Sequence, residues 1–137
     1  MGANLNAYLH FDGQAADALA FYADVFGGEP TIMTFGAMGM AGPLADKVMH
    51  GQLETDDGAT LMCSDLPYEH PVVDRGNGMT LSLSGDDTTT LRRYWQRLSE
   101  SGAVDTPLEK QMWGDEFGQC TDQFGVAWLV NIASAAL

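Results

Sequence analysis

Residues 117–132 read FGQCTDQFGVAWLVNI, and an echo of this stretch decides the fold. Gly118-Gln119 opens it and Gly125 follows seven positions later. Asp122 precedes Gly125 in a segment with turn chemistry, because an Asx side chain bonds its own backbone and Gly eases a left-handed turn. Alternating residues flank it, so the stretch predicts a β-hairpin. The same grammar occurs at VMHGQLETDDGATLMCSD, residues 48–65, where Gly51-Gln52 again precedes a glycine, Gly58, by seven positions. Here the hairpin arms are 48–55 and 59–64, with a turn at Asp56-Asp57-Gly58.

Working outward, each hairpin is preceded by the same sequence of elements. NLNAYLH (4–10) alternates as a strand, and QAADALAFYADVF (14–26) places Ala15, Leu19, Tyr22 and Phe26 at helical spacing. Gly27-Gly28 stops that helix, and PTIMTF (30–35) follows as a strand. In the second half MTLSLSG (79–85) is a strand, and DDTTTLRRYWQRLSESG begins with capping residues. Leu91, Tyr94, Trp95 and Leu98 share its apolar face, and DTPLEKQM (105–112) is the next strand. From Gly28 to Gly51 is 23 positions, whereas Gly102 to Gly118 is 16. The seven extra residues fall in GAMGMAGPLADK (36–47), which is irregular by composition. The chain is therefore expected to hold two βαβββ modules, 1–66 and 79–137, joined by a linker at 67–78 and forming one domain of α+β class.

Composition narrows the partners. Nineteen Asp and Glu face six Lys and Arg, a formal charge of −13. Such a surface repels phosphate backbones and anionic lipid, so neither nucleic acid nor membrane is expected as a partner. No apolar run reaches the roughly 18 residues of a membrane span. The first residues lack a basic segment followed by an apolar one, so the expectation is a cytoplasmic protein. Two cysteines, Cys63 and Cys120, are too few for a disulfide scaffold and lack metal spacing; a small buried role is expected.

Three segments carry a resemblance: YLHFDGQAADALAFYADVFGG (8–28), VMHGQLETDDGATLMCSD (48–65) and WGDEFGQCTDQFGVAWLVNI (113–132). In this order, on an internal repeat, they resemble the vicinal-oxygen-chelate superfamily of glyoxalases, bleomycin-resistance proteins and extradiol dioxygenases, in its PhnB-like branch. The resemblance implies a curved mixed sheet of eight strands with helices on its outer face, a concave ligand pocket, and a homodimer. In metal-dependent members the ligands are His, Gln or Glu on the first and last strand of each module. The matching positions here are Asn6, Ala7 or Tyr8; Met62 or Cys63; Met79, Thr80 or Leu81; and Leu129 or Val130, with Asn131 beyond them. None of these is a hard anionic or imidazole donor, so no metal and no other cofactor is expected. A methyltransferase label is sometimes attached to PhnB-like chains. Such chemistry asks for a glycine-rich strand-to-helix turn, and only Gly13 stands there.

The expected function is binding of a small molecule on the sheet. Candidate ligand contacts are His10, His50, Gln52, Met62, Trp113 and Asn131. His50, Gln52 and Glu54 share a strand face because side chains alternate, so a lyase or isomerase using His50 and Glu54 as acid and base is a second expectation. A third is a resistance protein that binds a cationic drug through acidic character. Met33, Met38 and Met40, interleaved with Gly36, Gly39 and Gly42, suit a flap over a ligand or a dimer contact. His70, beside Pro71 in the linker, is expected at the surface.

Overall fold

Glycine sets the packing of each module. In the computed structural model, which describes residues 2–134, a Cβ built on Gly51 would lie 2.9 Å from Cys63 Sγ and 3.1 Å from a Leu19 methyl. A Cβ on Gly118 would lie 2.8 Å from the Leu108 backbone and 2.9 Å from the Trp95 ring. Both are closer than a side chain tolerates, so each glycine admits a neighbour that any larger residue would displace. The two equivalent glycines of the repeat thus do the same physical job.

Around the first lie β1 (Ala7–Phe11), α1 (Ala15–Phe26), β2 (Thr31–Thr34), a 3₁₀ turn at Gly36–Met38, β3 (Val48–Glu54) and β4 (Thr60–Asp65). Around the second lie β5 (Leu81–Gly85), α2 (Thr88–Glu100), β6 (Ala103–Lys110), β7 (Glu116–Thr121) and β8 (Ala127–Ile132). Each set makes a four-stranded mixed sheet, in order β1-β4-β3-β2 and β5-β8-β7-β6. The first and last strands of each set pair parallel and the others antiparallel. Two βαβββ modules of α+β class are therefore present, and the contacts divide the chain into residues 1–74 and 75–137.

Helix α1 buries Ala15, Ala18, Leu19, Tyr22, Val25 and Phe26, a stripe at 3–4-residue spacing, against β3 and β4. Burying each large side chain contributes on the order of 1.5–3 kcal/mol. Its N-cap residue, Gln14, makes no side-chain cap. Instead Asp65, at the end of β4, accepts from the Ala15 amide at 3.0 Å and from the Val48 amide at 2.9 Å. One buried carboxylate thereby ties the helix start to the start of β3. Helix α2 carries its own cap, with Asp87 accepting from the Thr90 amide at 3.2 Å.

Several boundaries differ from the sequence expectation. Met79 and Thr80 lie outside β5, and β6 begins at Ala103 rather than Asp105. Trp95 is only half-buried, while Leu91, Tyr94 and Leu98 form the buried face of α2. The methionine-rich segment is not wholly irregular, since it contains the 3₁₀ turn.

Candidate functional site

In module one the side chains sort by alternation. Gly51, Leu53 and Cys63 point to the α1 side, so their neighbours on β3 and β4 point the other way. Register brings these neighbours together: Tyr8 pairs with Met62, Met62 with Gln52, and His10 with Ser64. The sheet face opposite α1 therefore presents Tyr8, His10, His50, Gln52, Met62 and Ser64.

These residues form a hydrogen-bonded array. The Tyr8 hydroxyl lies 3.0 Å from His50 Nδ1, and His50 Nε2 lies 3.3 Å from Gln52 Oε1. The amide oxygen can only accept, so Nε2 carries the proton; in the neutral ring Nδ1 then accepts from the Tyr8 hydroxyl. His10 Nδ1 lies 3.1 Å from Ser64 Oγ. The Tyr8 ring stands between the two imidazoles, with centroids 5.4 Å from His10 and 5.6 Å from His50. Tyr8 remains 43% exposed, so its oxygen keeps a free lone pair, and the Gln52 NH₂ group, not engaged by this chain of bonds, supplies donors beside it. A ligand with a donor next to an acceptor matches this pattern.

Of the sequence candidates, His10, His50, Gln52 and Met62 meet on this face. Glu54 lies on the same strand at its exposed end, four residues from His50 and so about 13 Å away along β3. The partners of His50 are Tyr8 and Gln52. Tyr8 and Ser64 complete the array and were not among the predicted contacts.

Trp113 and Asn131 belong to module two. Trp113 is 61% exposed and packs edge-on to Phe117 at 6.3 Å. Asn131 Nδ2 donates to Asp115 Oδ2 at 3.1 Å, and the Ser134 amide donates to Asp115 Oδ1 at 2.8 Å. Those two donors hold the Asp115 carboxyl below its usual range. Asn131 thus orders the loop before β7. His70 is exposed.

The positions that the resemblance marks for a divalent metal do not carry its usual donors. On β1 and β4 the matching places hold the Tyr8 phenol and the Met62 thioether, and on β8 the Leu129 side chain. Divalent zinc, nickel, iron or manganese is held by imidazole and carboxylate rather than by a neutral phenol, a thioether or an alkyl group. Among the described residues no three His, Cys, Asp or Glu side chains gather as a metal site. Both thiols are inert by position: burial, reinforced by nearby carboxylates, pushes Cys63 and Cys120 up to about 11. At the strand-to-helix turn before α1, Asp65 already accepts from the Ala15 amide.

A family model described as Glyoxalase/Bleomycin resistance protein/Dioxygenase superfamily matches residues 4–130. Protein YjdN of Escherichia coli (strain K12) is 26% identical over 142 residues, spanning 93% of this chain and 94% of that protein. Protein PA1353 from Pseudomonas aeruginosa has a crystal structure that superposes with TM-score 0.84 at 31% identity, covering 97% of this chain and 99% of that one. A PhnB protein from Bacillus cereus, provisionally named a 3-demethylubiquinone-9 3-methyltransferase, shares the fold with TM-score 0.76 at 24% identity over 96% of this chain and all of that one. No described helix is long and apolar enough to cross a membrane.

Proposed function

This chain belongs to the glyoxalase/bleomycin resistance protein/dioxygenase superfamily, and from that premise we propose that it is a PhnB-like small-molecule-binding protein that works without the divalent metal of its metal-dependent relatives. The observation that carries this is the array of Tyr8, His50 and Gln52 with His10 and Ser64 on the face opposite α1. It offers hydrogen-bond donors and acceptors with fixed polarity, and Met62 beside them gives an adaptable apolar contact. A methyl-transfer role has no support in the β1–α1 turn. An acid–base role for His50 with Glu54 is the weaker alternative, because both ring nitrogens of His50 are engaged by other residues and Glu54 stands a long way down the strand.

Two measurements test the proposal together. Metal content is determined after purification without added metal, and a small-molecule library is screened by amide and imidazole NMR shifts. Binding that perturbs Tyr8, His10, His50 and Gln52 in metal-free protein, and that weakens in Tyr8→Phe and His50→Ala, is the expected result. Stoichiometric zinc, nickel, iron or manganese held through the sheet would overturn it.

A further inference from the structure

Three methionines lie within eight residues, and all three are exposed: Met33 by 43%, Met38 by 60% and Met40 by 42%. A methionine side chain left in water forgoes the stabilisation that burial would give. The backbone that carries them is folded. The Met38 and Met40 amides both donate to Phe35 O at 3.1 Å, and Gly39 between them adopts φ +100. The ends of this turn are tied down, with Phe35 N donating to Lys47 O at 3.0 Å and Gly36 N to Ala45 O at 2.7 Å. Met33 precedes the turn on β2 and pairs with His50 on β3, which puts an imidazole on the neighbouring strand about 5 Å from it between Cα atoms.

We propose that Met33, Met38 and Met40 form a binding site for a soft monovalent cation of the Cu(I) type, with His50 Nδ1 as a further donor once it gives up its bond to the Tyr8 hydroxyl. Three arguments favour this ligand. Thioethers are soft, uncharged donors that select Cu(I) over hard divalent ions, and imidazole is compatible with the same metal. Eleven of the nineteen carboxylates but only one of the six cations, Lys47, lie in residues 1–74, so the local field attracts a cation. The only thiols, Cys63 and Cys120, are buried and held protonated, so they do not compete. The site is distinct in chemistry from the hard-metal site of the relatives and sits on β2 and its following turn rather than on β1 and β4.

The test uses the whole chain with ¹³C-methyl-labelled methionine, titrated with Ag(I) as a redox-inert probe and with Cu(I) under anaerobic competition with a chromogenic chelator. The expected result is one ion per chain, with the methyl signals of Met33, Met38 and Met40 moving while those of Met62, Met79 and Met112 stay. The double variant M38L/M40L keeps side-chain volume at exposed positions and should weaken binding by at least about tenfold, since even changes outside the ligand shell cost about 10–100-fold in metal affinity. The variant C63S/C120S should bind as the parent does. If C63S/C120S abolishes binding, if M38L/M40L leaves it intact, or if no ion binds at all, the proposal is wrong.

Discussion

Asp122 shows what one residue can hold. It is 4% exposed, and its Oδ1 accepts from the Phe124 and Val126 amides at 2.8 and 3.1 Å, while its Oδ2 accepts from Trp128 Nε1 at 2.8 Å. Asp122→Ala would strand two buried donors, the Val126 amide and Trp128 Nε1, and the part-buried Phe124 amide, each buried one costing about 1–3 kcal/mol when unsatisfied. A loss of roughly 3 kcal/mol or more is expected in urea unfolding, and a loss below about 1 kcal/mol would contradict the account. The thiols give a second prediction. Unfolded Cys63 and Cys120 ionise near 9.0, whereas the folded ones wait until about 11. Their contribution is therefore fully present below pH 9 and is lost as pH rises through about 11. The alkaline fall in stability should flatten in Cys63→Ala relative to the parent, and an unchanged slope would count against the shift. The turn role of Asp122 was legible because Asp at the start of a Gly-ended turn has a local mechanism. Tyr8 was not legible as a site residue. A lone aromatic on a strand reads as packing, and its partner His50 is 42 positions away; the available signal was its i,i+2 relation to His10.

At the scale of elements, the repeated glycine turned sequence into architecture. Gly51 and Gly118 each sit where a Cβ would press on packed neighbours, but the neighbours differ. At Gly51 they are the side chains of Cys63, Leu19 and Ile32, which have some freedom to give. At Gly118 they include the backbone of Leu108 at 2.8 and 2.9 Å, which cannot rotate aside as a side chain can. Gly118→Ala is therefore expected to cost more than Gly51→Ala, within the range of about 1–3 kcal/mol for overpacking. Paired denaturation curves check the order, and a reversed order would show that side-chain contacts, not the backbone, limit this site. Helices and hairpins were readable because their signals are local: stripe spacing, capping Asp87 and turn glycines. The start of α1 was less so, because its cap comes from Asp65 across 50 positions of chain. The partial exposure of Trp95 was also hidden, since helical spacing places it beside the core face without saying how far β6 and β7 extend over it.

The charge belongs to the whole molecule. Folding confines a formal −13 within one small chain, and ion pairs among the described residues that offset it include ones exposed to solvent in part: Lys47 with Asp12 at 3.6 Å, Arg92 with Glu116, and Arg97 with Glu100 at 3.5 Å. Exposed pairs of this kind add little, so long-range repulsion between carboxylates dominates. Raising NaCl from about 0.02 M to about 0.5 M shortens the Debye length from tens of ångströms to a few, and screens that repulsion more in the folded chain than in the expanded one. The melting temperature should therefore rise, by roughly 3–6 °C if the relief is about 1 kcal/mol. The effect should also be uneven. Residues 1–74 hold eleven carboxylates and one cation, and residues 75–137 hold eight carboxylates and five cations. Amide exchange at Gln52 and Leu53 should accordingly slow more with salt than exchange at the equivalent Gln119 and Cys120. Equal slowing at both places would mean that the chain opens as one unit before either amide exchanges. A melting temperature that falls with NaCl would mean that the local pairs, not the net charge, govern stability.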